Sequence, residues 1–371
     1  MKFYFIVLII LNFCLANNKK FTISGHIENK PPSITVLFKL YNTFQNKQTV
    51  LDTIPVDTSG FFRRHFNYES GIYQLDFSGI YKLNLAIERG QNIEINLEIP
   101  RDKKNDVLAR ISGSNDALLV FKYDELQKDA YQKWLHPVRR SIRLAKEAGE
   151  IAKIPALQEQ EKKNLIAYKN ELADYARENF GNSIALFYAA VRLDPELHMD
   201  FLQEIADIFN RQRPELKITR QFNEKIERIR KTAIGSLAPD IVLTKKDGRR
   251  IKLSNNIGKY VLLDFWAAWC NPCRIENINY ARLYKKYKDK GFEIFSVSVD
   301  TNEKLWQNAS EKDNISWINI TDLKGWVTAS AVDYNITAIP ANFLIDPAGK
   351  IIDKNIRGED LQAKLETIFK Q

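Results

Sequence analysis

Residues 260–274 read YVLLDFWAAWCNPCR and carry the strongest signal in the chain. The run before the tryptophans is apolar apart from Asp264, which is the pattern of a strand buried on both faces. A Cys-x-x-Cys pair follows at Cys270 and Cys273, and the segment that begins at Pro272 predicts a helix. The stretch therefore predicts a buried strand that runs directly into a helix, with two thiols at the junction.

The cysteine count indicates what this pair does. The chain holds 3 cysteines, and because Cys14 lies in a predicted leader, Cys270 and Cys273 would be all that the mature protein keeps. Their loop is too small for much chain-entropy stabilisation, so the pair is expected to make and break a disulfide with another molecule. An inert structural disulfide is the alternative. Zinc would need about four ligands, yet no histidine follows His198, and covalent haem would need histidine in place of Arg274.

The first 16 residues have the form of a cleavable signal peptide. Lys2 supplies the positive start, an apolar run extends to Leu15, and small residues precede a cut after Ala16. The run is shorter than the roughly 20 apolar residues of a membrane span. The pattern predicts an exported protein of the periplasm or cell envelope. An uncut N-terminal anchor and a lipid on Cys14 are the alternatives.

Composition and patterning divide the rest of the chain into three regions. The 371 residues are 44% hydrophobic and 11% aromatic, which suits several globular cores. Short alternating runs separated by turn signals predict an all-β, sandwich-like domain over 17–112. Apolar residues at helical spacing predict an α-helical region over 113–235, and strands alternating with helices predict an α/β domain over 236–371. The net charge of +9 is spread among 46 acidic residues without a nucleic-acid motif, so no nucleic-acid partner is expected.

Inside the α/β region the pattern predicts particular elements. The turn Lys246-Asp247-Gly248 predicts a hairpin between two short strands. Helices are expected over Pro272–Lys290 and Gly325–Tyr334. A second buried strand is expected over Phe292–Val299, and a closing helix over Glu359–Phe369.

The position of the thiols supplies their chemistry. Free backbone N–H groups and the positive end of the helix dipole stabilise a thiolate at Cys270. The thiolate is the attacking species in disulfide exchange. Cys273 lies one turn further along the helix, close enough to resolve a mixed disulfide.

The segment 262–273 resembles the active site of the thioredoxin superfamily. The upstream Leu237-Ala238-Pro239-Asp240 and the hairpin at Gly248 resemble its exported, TlpA/ResA-like branch, and the likeness covers about the last 135 residues. The resemblance implies a thioredoxin-like fold at the C-terminus. The β-rich and helical regions resemble the additional N-terminal part of many exported thioredoxin-like proteins.

The resemblance also implies roles for individual residues. Cys270 would be the nucleophile and Cys273 the resolving thiol. Asp264 matches the family's buried acid, whose pKa burial should raise, so that it can take the proton of Cys273. A carboxyl at a strand edge is the alternative reading of Asp264. Glu276 matches an acidic position of the exported branch and would either tune the thiols or face solvent.

Substrate docking is implied at a second segment. Ile339-Pro340 matches the family's cis-proline, which faces the Cys-x-x-Cys, and the backbone of Ile339 would pair with an extended substrate. Trp269 would shape the docking surface beside the nucleophile. Two positions depart from the family pattern: Ile278 replaces a frequent helix-kinking proline, and Asn271 replaces the commoner glycine between the cysteines.

The leading interpretation is an exported thiol-disulfide oxidoreductase, more specifically a reductase of protein disulfides supplied by a membrane thiol electron donor. No cofactor and no metal are expected. A thiol peroxidase would need Pro-x-x-x-Thr-x-x-Cys, and Leu263 and Ala267 occupy the Pro and Thr positions. The non-enzymatic alternative is a ligand- or partner-binding envelope protein with a vestigial thioredoxin domain.

Overall fold

A computed structural model describes residues 20–42, 47–102, 106–244 and 250–370. The predicted signal peptide, residues 1–16 with Cys14, and the predicted turn Lys246-Asp247-Gly248 lie outside the described residues. Within these ranges, no helix is both long enough and apolar enough to cross a membrane.

The chain separates into two compact units that divide after Leu193. The second unit takes residues 194–215 and the described residues from Thr219 onward, while 216–218 group with the first. The last two helices of the predicted helical region therefore fall mainly with the α/β part. The domain boundaries at residues 16, 112 and 235 stay a prediction.

The first unit begins with eight strands that form two four-stranded sheets, in the orders β4-β1-β7-β8 and β3-β2-β5-β6. Alternation drives this arrangement: every second residue of β7 is buried, and these residues join those of the other sheet in one apolar core. The predicted all-β, sandwich-like region is confirmed. The strands are β1 Phe21–Glu28, β2 Val36–Asn42, β3 Lys47–Ile54, β4 Phe61–Phe66, β5 Gly71–Phe77, β6 Tyr81–Ile87, β7 Asn92–Glu98 and β8 Leu108–Ser112.

Six helices follow the sandwich. The hydroxyl of Ser114 caps the first of them by accepting a hydrogen bond from the Ala117 N–H at 3.1 Å. A single π-helical turn, Tyr131–Leu135, joins the first helix to the second. The helices are α1 Asn115–Ala130, α2 His136–Glu147, α3 Ile154–Asn179, α4 Ala185–Ala190, α5 Pro195–Gln212 and α6 Lys217–Lys231.

The α/β part contains a five-stranded sheet in the order β13-β12-β11-β14-β15 and a separate β9-β10 hairpin. The first three strands of that order are parallel, and β14 is antiparallel to both of its neighbours. This is the predicted thioredoxin-like fold. The elements are β9 Val242–Thr244, β10 Arg250–Lys252, β11 Tyr260–Trp266, α7 Asn271–Tyr287, β12 Phe292–Ser298, α8 Glu303–Lys312, β13 Ile318–Ile320, α9 Ala329–Asp333, β14 Ala341–Ile345, β15 Ile351–Lys354 and α10 Gly358–Phe369.

The central strands are buried on both faces because apolar side chains alternate between two cores. Leu263 and Phe265 face one core, whereas Leu262 faces the other, which also contains Tyr280 and Leu283 of α7. Asp264 has the same strand parity as Leu262. The α7 side of the sheet therefore receives a carboxyl in an otherwise apolar layer.

Two expected elements differ in the structure. The single helix predicted over Gly325–Tyr334 is a 3₁₀ turn, Gly325–Val327, followed by α9. The break lies at Thr328, whose backbone is extended at φ −59° and ψ 138° and whose side chain is fully buried. The helix predicted to Lys290 ends its α-helical part at Tyr287 and continues as one 3₁₀ turn. The strand β13 was not predicted because its three residues are too few to establish a period.

Candidate active site

Cys270 and Cys273 form a disulfide at the start of α7. Cys270 is the N-cap residue, and its sulfur accepts a hydrogen bond from the Cys273 N–H at 3.2 Å. Pro272 lies in the first turn, where the missing N–H costs nothing. Cys270 is 5% exposed and Cys273 is 1% exposed, so the N-terminal thiol is the more accessible of the two.

A short turn carries the chain from β11 into this helix. The Cys270 N–H donates to the carbonyl of Ala267 at 3.0 Å, and the Ala268 N–H donates to a carboxylate oxygen of Asp300 at 2.8 Å. Asp300 follows β12, the parallel neighbour of β11. The carboxyl ends of parallel strands meet at one edge of the sheet, so the neighbouring strand fixes the loop that presents the disulfide.

Three buried polar residues form a row across the sheet beneath α7. Asp264 pairs with Ser296 of β12 on one side and with Asn342 of β14 on the other. The Ser296 hydroxyl donates to Asp264 over a long 3.5 Å and accepts from the Trp317 indole at 2.8 Å. Asn342 donates to the Tyr280 hydroxyl of α7 at 3.0 Å. The Asp264 carboxyl is thus held in an apolar layer with only weak hydrogen bonding.

Burial raises the pKa of Asp264 from 3.8 to about 7. The Arg357 guanidinium and hydrogen bonds from Ser296 and Tyr280 oppose this rise in pKa, whereas the Glu276 carboxylate adds to it. The predicted burial of Asp264 is confirmed, because the residue is 1% exposed. A carboxyl with a pKa near neutrality can both accept and return a proton at physiological pH.

Glu276 lies half-buried on α7, one turn beyond Cys273. Its carboxylate accepts a hydrogen bond from the Gly358 N–H at 3.2 Å, at the first residue of α10. An anion at a helix N-terminus is favourable because it meets the free N–H groups and the positive end of the dipole. The structure describes no hydrogen bond from Glu276 to either cysteine. Its proposed influence on the thiols would therefore act through charge.

The Ile339–Pro340 peptide bond is cis, as the resemblance implies. The bond directly precedes β14, whose first residue, Ala341, pairs with Phe265 near the end of β11. Because β14 is antiparallel to β11, its beginning lies at the sheet edge from which the cysteines emerge. Ile339 packs against the core cluster that contains Cys270 and Cys273.

Two exposed tryptophans lie close together at the same edge. Trp269, directly before Cys270, is 57% exposed, and its ring centroid is 6.4 Å from that of Trp326, which is 42% exposed. Val327, the next residue, is 74% exposed. Large apolar side chains at the surface beside a reactive group are typical of a docking surface.

Sequence reasoning identified the cysteines, Asp264, Glu276, Trp269 and the cis-proline segment, but it missed Trp326 and Arg357. Trp326 follows β13, and because β13 is parallel to β12 its following loop emerges at the active-site edge. An exposed tryptophan after a parallel strand was the available signal. Arg357 follows β15 and donates a hydrogen bond to the carbonyl of Pro340. Nothing in its local sequence indicates that contact.

The fold and the site together define a thioredoxin-like protein with an N-capping disulfide above a buried acid. The family model described as "AhpC/TSA family" matches residues 234–354. The chain is 35% identical over 141 residues to the thiol-disulfide oxidoreductase ResA of Bacillus thuringiensis. The matched segment covers 38% of this chain and 79% of that protein. It is 38% identical over 136 residues to ResA of another Bacillus, B. cereus, covering 37% and 76%.

A solved thioredoxin domain of a thiol-disulfide oxidoreductase from Bacteroides vulgatus is 39% identical, with a TM-score of 0.35, and the match covers 37% of this chain and 98% of that chain. The sequence relatives settle the family. The chain belongs to the ResA-like thiol-disulfide oxidoreductases, and it is an oxidoreductase.

Proposed function

We propose that the protein is an exported reductase of protein disulfides that works through Cys270 and Cys273. This proposal rests on the placement of their disulfide at the N-terminus of α7. The same helix carries Tyr280 and Glu276, which influence the pKa of Asp264. The reductase direction rests on the likeness to the exported branch. A membrane thiol would then return the pair to the dithiol form.

The first step is attack by Cys270. Its thiolate, stabilised by the helix N-terminus, attacks one sulfur of the substrate disulfide. A new bond forms between Cys270 and that sulfur, the substrate S–S bond breaks, and the other substrate sulfur leaves as a thiolate that takes up a proton. The greater exposure of Cys270 supports its assignment as the attacking thiol.

The second step releases the substrate. Cys273 gives its proton to the Asp264 carboxylate, directly or through water, and its thiolate attacks the sulfur of Cys270. The Cys270–Cys273 disulfide forms, the mixed disulfide breaks, and its substrate sulfur leaves as a thiolate that takes up a proton. Two electrons have then passed from the dithiol to the substrate. A pKa of about 7 for Asp264 supports a proton acceptor that works at neutral pH. Glu276 would adjust this transfer through its charge.

Docking uses the neighbouring loop. The backbone of Ile339 would pair with an extended substrate segment, Pro340 would close the surface opposite the disulfide, and Trp269 would contact apolar residues that flank the substrate cystine. A cavity of about 330 Å³ lies beside Pro340, and Phe343 and Arg357 also line it.

Reduction of insulin tests the activity. The oxidised enzyme is first reduced with dithiothreitol, and turnover is compared between wild type and Cys270→Ser. We expect rapid reduction by wild type and background rate for the variant. Equal rates would favour the non-enzymatic alternative. The reduction potential of the pair, measured against glutathione, then decides between reductase and oxidase, because these motifs span about −270 to −120 mV.

Export rests on the signal-peptide pattern in residues 1–16. Mass spectrometry of the envelope protein is expected to find a mature N-terminus at Asn17. A lipid-modified Cys14 or an intact Met1 would instead support one of the two anchored forms.

A further inference from the structure

Arg357 contacts the cis-proline loop, and Gly358, the residue after it, contacts the active-site helix. It is the residue before α10, and its guanidinium donates a hydrogen bond to the carbonyl of Pro340. It also lines the cavity beside Pro340. The next residue, Gly358, contacts α7, since its N–H donates a hydrogen bond to the Glu276 carboxylate at 3.2 Å. Two consecutive residues at the start of α10 therefore bind both the cis-proline loop and α7.

One polar group of Arg357 is buried at a cost to stability. Its Nε–H is buried and has no hydrogen-bond acceptor among the described residues. A buried donor without a protein partner costs stability, so stability alone does not account for an arginine at this position. Its positive charge favours the Asp264 carboxylate, as do hydrogen bonds from Ser296 of β12 and Tyr280 of α7, whereas Glu276 of α7 disfavours it.

We propose that Arg357 is a positioning residue for disulfide exchange, in which one guanidinium holds the Pro340 carbonyl and balances the Asp264–Glu276 acid pair. The inference rests on the proposed function. Substrate that pairs with the loop before Pro340 is thereby positioned relative to the group that accepts the proton of Cys273. Glu276 alone would disfavour the Asp264 carboxylate, and Arg357 offsets that repulsion.

Separate variants test the charge and the hydrogen bond. Arg357→Gln removes the cation but keeps a donor for Pro340. Without the cation the pKa of Asp264 rises further, so its carboxylate forms only at higher pH. The acid limb of the kcat–pH profile for insulin reduction should therefore move up by about one pH unit, a roughly tenfold loss of kcat at pH 6. Arg357→Lys keeps the charge but loses the planar fork. It should leave the acid limb in place and raise KM about threefold.

The matched control is Arg282→Met. Arg282 of α7 donates a hydrogen bond to Gln362 of α10 at 2.7 Å, on the exposed side of the same pair of helices that Gly358 and Glu276 join. This variant should leave both the acid limb and KM unchanged. A shift of the acid limb in Arg282→Met equal to that in Arg357→Gln would overturn the proposal, since any loosening of the two helices would then suffice.

A titration of the Asp264 carboxyl by ¹³C NMR, on oxidised protein, supplies a readout that needs no turnover. Arg357→Gln should titrate at higher pH than wild type, and Arg357→Lys close to it. If Arg357→Gln does not fold, an Arg357→Lys protein with wild-type titration and wild-type KM refutes the positioning role. An inactive wild type would refute the proposed function instead. An active wild type with an unmoved acid limb in Arg357→Gln would refute only the role of Arg357.

Discussion

Each compact unit holds a carboxyl whose pKa is raised by desolvation, and the two are held in different ways. Asp124 of α1, in the first unit, accepts hydrogen bonds from the Tyr188 hydroxyl at 2.5 Å and from the Asn84 amide at 3.1 Å. For Asp264, in the second unit, the hydrogen bond from Ser296 is long, at 3.5 Å, and one carboxyl oxygen is buried without a hydrogen-bond partner among the described residues. Burial raises the pKa of both. At Asp124 the hydrogen bonds from Tyr188 and Asn84 oppose this rise most, whereas at Asp264 the Arg357 guanidinium opposes it more than the hydrogen bonds do. Burial alone therefore does not separate a proton-transfer group from a structural one, and the carboxyl that we propose as the proton acceptor is the one whose oxygens are less well hydrogen-bonded.

The aromatic residues of the two units differ in the same way. In the sandwich, Phe38 stacks on Phe66 at 4.2 Å and on Tyr73 at 4.9 Å, inside a closed core. Beside the disulfide, Trp269 and Trp326 leave large parts of their rings exposed. The first set stabilises the fold, whereas the second leaves apolar area available to another molecule.

The largest effect should come from the cysteines of the second unit. Cys273→Ser should accumulate a stable mixed disulfide with substrate proteins, because no thiol remains to resolve it. Cys270→Ser should trap almost nothing. Non-reducing gels followed by mass spectrometry of the adducts would measure both. Equal trapping by the two variants would contradict their assigned roles, and trapping by neither would move the function away from disulfide exchange.

Asp264→Asn should slow turnover at neutral pH by about tenfold or more, since general base catalysis contributes about 10²–10⁴-fold. It should also stabilise the fold above pH 7. The raised pKa means that native Asp264 keeps its proton between about pH 4 and 7, whereas the unfolded chain loses it. The stability that this group gives wild type is therefore full below pH 4 and lost as pH rises towards 7.

The size of that loss follows from the pKa values. A rise from 3.8 to about 7 corresponds to about 4 kcal/mol by linkage, as an upper estimate. Urea unfolding at pH 4 and at pH 8 should show this decline in wild type and a smaller decline in Asp264→Asn, which keeps only the contribution of groups such as Asp124. A parallel decline in both proteins, or wild-type turnover in the variant across pH 6 to 9, would remove Asp264 from the mechanism.

Tyr188→Phe, in the first unit, should lower the stability of the protein without changing its activity. The hydroxyl both donates to Asp124 and accepts from Asn84 at 2.8 Å, so its loss leaves buried polar groups less satisfied. The expected cost is about 1–3 kcal/mol in the free energy of unfolding. Insulin reduction should be unchanged when the protein is assayed well below its melting temperature. A fall in kcat without a fall in stability would show that the first unit takes part in the chemistry.

The predictable parts of this site are local in sequence. The cysteines, Asp264 and Pro340 each belong to a short motif, and an apolar strand interrupted by one carboxyl indicates its burial from the pattern alone. Arg357 and Gly358 are different, because Gly358 meets Glu276 across 82 residues of sequence. No period or spacing encodes that contact; it follows from α10 packing beside α7.

The same distinction applies to the fold. The regular alternation of the sandwich and the long apolar run of β11 predicted their elements correctly. The segment 325–334 did not, because helix-forming residues there surround the buried Thr328, whose extended backbone is set by tertiary packing. Local propensity gave a continuous helix where the packing requires a break.

The smallest expected effect is at Trp326, and it tests whether the exposed aromatic pair is a docking surface. Trp326→Ala removes one ring of the pair, and aromatic contacts of this kind are worth about 0.5–1.5 kcal/mol. We therefore expect KM for insulin to rise about three- to tenfold with kcat unchanged, since binding is weakened without any change to the thiols. Phe61→Ala is the matched control, because Phe61 is an aromatic residue of the sandwich with a similar exposure of 44%. Its loss should leave KM at the wild-type value. If both variants raise KM equally, general loosening accounts for the effect; if neither does, substrates dock through the cis-proline loop without the second tryptophan.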